Sequence, residues 1–308
     1  KPAVFIMENV KGMLSSQHGG SPIFNRIVAD LSSPGDGLEY QIRSLVKPGV
    51  AGELAPQDFV IEAECFGIPQ GRHRVILFGI RSDVARSVPE LSSSPEMFVL
   101  GSENLKVTVR EALSGLPPLR SKLSREPDGH EQWLSALMGT AEELRWYQSE
   151  ALKPVMDEMQ RAVSEARLRK STGGPFIPHD TTNNEMRPRL RNWYLDERLG
   201  GVIQHETRSH MRSDLHRYLF AAAYGRAKGF SPKIADFPTP LLPKHDNVMS
   251  CDVPFADRFR VQLEGSWSST VVAHIAKDGH YFIHPDPSQC RSLTVREAAR
   301  LQTFQYNY

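Results

Sequence analysis

Cysteine is scarce in this chain. Its 308 residues hold three, at positions 65, 251 and 290. The number is odd, the gaps are long and no pair has metal-site spacing, which excludes a disulfide scaffold and points to a reducing compartment, the cytoplasm. No apolar run approaches the roughly 18 to 20 residues that cross a bilayer as a helix, and Lys1-Pro2 leads straight into Val4-Phe5-Ile6-Met7 without a leader. No membrane partner is expected. Coiled-coil and solenoid periods are absent too. Net charge is almost absent at +1, but the sum hides an excess. Between Arg161 and Phe230, 13 Lys and Arg stand against 7 Asp and Glu. Such a stretch is either a surface for phosphates or a solvated face whose counter-charges lie elsewhere.

What is present is ordinary: 40% hydrophobic and 24% charged residues, in a chain long enough for two domains with a real core. The first 80 residues read as α/β. Val4 to Met7 has the look of a buried parallel strand, Ile23 to Leu31 has helical spacing, and Phe59 to Ala63 and Val75 to Ile80 read as strands. The connector Glu64 to Arg74 holds Gly67 and Pro69 and is expected to be an ordered loop. A helix opens at Thr108 with Glu111 in capping-box spacing and stops at Pro117-Pro118. Glu131 to Lys170 reads as two helices broken near Pro154. Ser171 to Gly201, with Gly173-Gly174 and Asn183-Asn184, reads as a long loop or linker, and Pro232 to Pro254 as irregular. Thr207 to Ala223 is expected to be an amphipathic helix, with His205, Arg208, Arg212 and His216 away from its apolar face. Thr270 to Ala276 and Tyr281 to His284 suggest a hairpin around Asp278-Gly279. A second capping box, Thr294 to Glu297, opens the last helix.

Three clusters carry chemistry. Glu8 follows a strand, where ligands gather in α/β sheets, although a loop-capping acid explains it as well. Arg72 and Arg74, two apart at a strand entrance, point to one side and could hold a phosphate and a carbonyl oxygen, or pair with surface acids. The third is Leu293-Thr-Val-Arg-Glu-Ala-Ala-Arg-Leu-Gln302. His205, His210 and His216 have spacings that suit no single helical face, so no metal is expected and these histidines read as surface or DNA-facing. Cys65 reads as a small buried residue; Cys251 falls in a polar loop and Cys290 just ahead of the last helix.

The order of the three clusters matters more than any one of them. Glu8-Asn9-Val10-Lys11-Gly12, then Gln70-Gly-Arg72-His-Arg74, then a long insert, then Arg291-Ser-Leu-Thr-Val-Arg-Glu-Ala-Ala-Arg-Leu-Gln302 resembles the DNA cytosine-C5 methyltransferase family over nearly the whole chain. The resemblance implies an α/β fold: the C-terminal part of a Rossmann-like S-adenosylmethionine-dependent sheet plus an inserted mixed α+β target-recognition domain. It divides the chain into 1–119 (catalytic), 120–290 (target recognition) and a truncated return segment, 291–308. It also implies double-stranded DNA as partner and a cytosine flipped into a pocket. Glu8 would meet the base at N3, best as a neutral acid in a dry pocket. Arg74 would bind O2, Arg72 would order the pocket and a nearby phosphate, and Asn9 would shape the loop below. Thr270 and Val271 match a pair lying against the DNA backbone in the family, and Arg208 and Arg212 are further DNA-binding candidates.

Two family segments do not occur: the Phe-x-Gly-x-Gly turn that holds S-adenosylmethionine and the Pro-Cys-Gln loop with the nucleophile. The chain opens on Lys1 and ends soon after Phe304, so it is expected to be a fragment of a bacterial or phage enzyme. Its donor site would lie mostly outside these residues, and the chain alone would be inactive. It could instead be the recognition subunit of a split methyltransferase, with a second chain supplying the N-terminal half, or a catalytically dead DNA-binding remnant. Membership of a restriction-modification system and the target sequence stay open.

Overall fold

The computed structural model describes residues 1–88, 94–101, 106–144, 147, 149–178, 185–243 and 257–306. They form two compact units, Lys1–Gly67 with Gly71–Lys106, and Ile68–Gln70 with Val107–Tyr308. Among the described residues no helix is long and apolar enough to cross a membrane.

The first unit is a four-stranded sheet built around one long strand. That strand, β4 (His73–Arg81), has β1 (Val4–Val10) along one side; β2 (Tyr40–Arg43) and β3 (Val60–Glu62) share the other. Every pairing is antiparallel, with Glu8 opposite Ile76 and Val10 opposite Arg74. The expected buried parallel strand is therefore corrected: β1 is an antiparallel edge strand. Its side chains alternate. Phe5 and Met7 pack toward the core with Ile27, Val28 and Leu31 of helix α1 (Ile23–Ser32) around Phe24, Phe59, Val75 and Leu77. Val4 and Ile6, on the other face, are 50% and 66% exposed. Gly79 is required where it stands, because a Cβ there would collide with the Phe5 ring.

The second unit is mainly helical. α3 (His130–Leu144) and α4 (Lys153–Ala166) pack on α6 (Arg212–Lys228), whose residues 218–225 are all buried. This differs from the expected amphipathic helix from Thr207. Ser209 and His210 pair with Lys122 and Leu123 as short strands, so the helix starts at Arg212, and two helices cover it where one apolar face was expected. It ends at Gly229, which takes the left-handed φ of +79° that closes a helix without strain. The stretch 171–201 is also more ordered than expected. β5 (Gly173–Pro178) pairs antiparallel with β6 (Gly201–Glu206), and α5 (Pro188–Tyr194) lies between them in the chain; Asn183-Asn184 lies outside the described residues. The start of β5 needs glycine, because Gly173 has φ of +77° and a Cβ there would strike the His205 carbonyl.

Both threonines cap their helices, but only the second makes the reciprocal box; at the first, the Glu111 carboxylate turns to Arg187 instead. Thr108 accepts from the Glu111 amide at the start of α2 (Val109–Leu113), and Thr294 and Glu297 bond reciprocally at the start of α7 (Val295–Leu301). The predicted hairpin does not form. Ala273–Ala276 make a 3-10 turn, Val271 is drawn into the core, and Ile283 bridges Val261 and Ser292 instead.

Candidate active site

The first and second clusters meet on the first unit. Because Glu8 faces Ile76, the side chain of Arg74 lies diagonally across from it on the same face, and Arg72 follows two residues away. Arg74 Nε is 2.8 Å from Glu8 Oε1, and an Arg72 terminal nitrogen is 3.6 Å from the same oxygen. Arg74 also donates to the His73 carbonyl at 2.8 Å, which fixes its fork. The dry pocket expected around Glu8 is not found among the described residues: its side chain is 47% exposed, with Arg72 at 41% and Arg74 at 20%. Glu8 sits on the solvent face of an edge strand, and among the described residues its ion-pair partners are the two arginines. It also lies inside β1, which runs three residues further than the sequence suggested. Asn9 points to the opposite side of β1, where its Oδ1 accepts from the Val10 amide at 2.8 Å.

The remaining candidates belong to the second unit. Val271 is 5% exposed and part of an apolar cluster, so its side chain is a core group here. Thr270 beside it is partly buried. Arg212 is held by Glu126 at 2.7 to 3.0 Å, and Arg208 is partly buried ahead of α6. The basic stretch is largely answered within the fold: Arg187 pairs with Glu111, Arg198 with Asp196, Arg217 with Asp214 and Arg226 with Glu158.

The three histidines are not brought together. His205 is fully buried between Thr294 Oγ1 (3.0 Å) and the Pro117 carbonyl (2.8 Å). His210 is buried against Ser292 Oγ at 3.1 Å, and burial pushes its ring down to about 3. His216 pairs with Glu143. The surface reading is thus corrected for His205 and His210, which packing claims as core polar groups. Cys290 is buried and donates to the Leu215 carbonyl, and burial pushes its thiol far up, which makes it inert. Cys65 is only partly buried, in the 3-10 turn Ala63–Phe66; Cys251 lies outside the described residues.

Sequence reasoning missed two features. Gln70, 2% exposed, donates to the Leu301 carbonyl at 3.0 Å and accepts from the Val271 amide at 3.2 Å. It thereby ties the Ile-Pro-Gln segment to the Thr-Val pair and to the last helix, and its place in the second cluster was the only hint. The other is a buried lock, Arg291 bidentate on Glu297 at 2.7 Å through both oxygens. The capping box announced Glu297, but nothing local announced its second partner.

Residues 1–308 match the family model of C-5 cytosine-specific DNA methylases. Over 308 residues the chain is 32% identical to the Type II methyltransferase M.Bpa9945I of Bacillus paralicheniformis, a match covering all of this chain and 54% of that protein. With M.AgeI of Thalassovita gelatinovora it shares 26% over 328 residues, covering 100% of this chain and 67% of the relative. With M.BspRI of Lysinibacillus sphaericus it shares 32% over 120 residues, 38% of this chain and 22% of the relative. The chain thus spans about half the length of M.Bpa9945I. With the family model matching from end to end, this chain belongs to the C-5 cytosine-specific DNA methylases.

Proposed function

We propose that this chain supplies the base-activating part of a DNA cytosine-C5 methyltransferase, which moves a methyl group from S-adenosylmethionine to C5 of a cytosine flipped out of the duplex. The observation that carries the reading is the Glu8 carboxyl held by Arg74 at 2.8 Å, with Arg72 at 3.6 Å, on a solvent-open strand face. A carboxyl group so placed can exchange an arginine for an incoming ring. When a nucleophile adds at C6, electron density moves to N3 and O2 of the cytosine. Glu8 meets N3, as an acid that donates its proton, and the Arg74 guanidinium donates to O2. Arg72 remains beside them to hold the arrangement and an adjacent phosphate, and Asn9 braces the strand beneath.

The chain's own contribution is confined to the base. In this reading the methyl-donor site lies mostly outside these residues: the sequence holds no Phe-x-Gly-x-Gly turn, and β1 runs into the 3-10 turn Lys11–Leu14. No described cysteine stands in a Pro-Cys-Gln turn, and Cys290 is inert. In this reading the sheet is the C-terminal part of a Rossmann-like methyltransferase sheet. Residues 1–119 serve catalysis, 120–290 choose the target through Thr270, Arg208, Arg212 and the backbone at Val271, and 291–308 return toward the catalytic domain. This functional division differs from the compact units, which part at Lys106, because α2 and α7 share one apolar cluster.

The test is methyl transfer from labelled S-adenosylmethionine to duplex DNA. The 308 residues alone are expected to incorporate no label; incorporation that Glu8→Gln abolishes would contradict the assignment of the nucleophile to residues outside this chain.

A further inference from the structure

His73 stands between the two arginines in sequence, but strand alternation turns it to the other side, that of Val75 and Leu77. There it meets two carboxylates. Glu62 is its cross-strand partner on β3, and Glu64 lies two residues further on, in the turn Ala63–Phe66. Glu64 Oε1 is 2.7 Å from His73 Nε2, and Glu62 Oε1 is 3.9 Å from His73 Nδ1. One ligand atom from each of the three residues lies within 4.8 Å of the others. Glu64 is only 6% exposed, and its second oxygen, Oε2, is buried without a hydrogen-bond partner. A buried carboxylate oxygen with no donor is costly, and such orphans in a folded protein mark an absent partner.

We propose that Glu62, Glu64 and His73 bind one divalent transition-metal cation of the zinc or manganese class. Two carboxylate oxygens with one imidazole nitrogen suit such an ion, whereas magnesium and calcium favour oxygen alone. Metal–ligand bonds of about 2.0 to 2.2 Å bring ligand atoms to roughly 3 to 3.5 Å of one another. The Glu64–His73 pair at 2.7 Å therefore opens slightly to admit the ion, while Glu62, 3.9 Å from the ring and with its side chain 48% exposed, is free to swing in. Water completes the coordination. The cation satisfies Glu64 Oε2 and staples β3 to the first residue of β4, one position from each arginine.

The experiment is equilibrium dialysis of the metal-stripped 308-residue chain against zinc chloride, with bound zinc measured by mass spectrometry. One zinc per chain is expected. His73→Gln and Glu62→Gln should each weaken binding by at least about tenfold, and zinc should raise the unfolding temperature of the wild type but not of either variant. Glu62 is exposed, so its variant keeps the fold and tests the site even if His73→Gln does not. No zinc above background, or equal zinc affinity in wild type and Glu62→Gln, would overturn the proposal and leave an imidazole bridging two carboxylates.

Discussion

The two units hold the same chemical pair in opposite settings. In the first, Glu8 and Arg74 are 47% and 20% exposed; in the second, Glu297 and Arg291 are each 1% exposed. Glu297 also accepts from the Thr294 amide at 2.8 Å and lies 3.5 Å from His284. Burial alone would disfavour its charge, but the Arg291 guanidinium outweighs that and holds its carboxyl well below the usual carboxylate range. Glu8 has no such enclosure. The difference teaches which pair is available for chemistry: a buried, bidentate, fully bonded carboxylate is a structural lock, whereas a half-exposed one can trade its partner for a substrate.

The comparison breaks most visibly at Glu297. Removing one partner of a buried ion pair leaves the other charge uncompensated, so Glu297→Gln should cost about 3 to 5 kcal/mol. All four tryptophans, at 133, 146, 193 and 267, come after Val107, and the three among the described residues (133, 193 and 267) belong to the second unit, so their fluorescence during urea unfolding reads that unit. A loss under about 1 kcal/mol would show that the lock is not one.

Acid sharpens the contrast next. Burial pushes His284 down to about 4 and His210 to about 3, and lowers His205 as well. The unfolded chain therefore binds more protons than the folded one below about 6.5, and stability falls as pH drops through that window. Glu297 adds to the loss once pH passes below about 4.5, where its unfolded form protonates and its folded form does not. The fluorescence-detected stability should fall by a few kcal/mol between pH 7 and 4. A flat profile would contradict the buried neutral histidines.

The smallest effect belongs to the exposed pair. Glu8→Gln should change the stability of the chain by less than about 1 kcal/mol, measured by circular dichroism in urea. A larger loss would make Glu8 a structural residue.

Legibility in the sequence followed the range of the forces involved. The caps at Thr108 and Thr294, helix α1 and the strands around Phe59 and Val75 depend on neighbours within a few residues, and all were readable. β1 was readable as a strand but not as an antiparallel edge, because pairing direction is set by a partner some 70 residues away. The stretch 171–201 read as a loop partly because Gly173 is there for a close approach to His205, a tertiary demand that resembles loop chemistry locally. His205 and His210 read as surface groups since their partners, Thr294 and Ser292, lie more than 80 residues on. Glu8 and the two arginines were named from sequence and do come together. Their exposure was not foreseen, nor was Glu64 closing on His73 behind them.

The most direct test of the account is methyl transfer to duplex DNA by wild-type and Glu8→Gln forms of this chain, joined to the part of M.Bpa9945I that it does not span. With the joined wild type active, a loss of about a hundredfold to ten-thousandfold in rate, without a matching loss in stability, is the predicted result. Transfer at the wild-type rate by Glu8→Gln would contradict the assignment of base activation to this carboxyl.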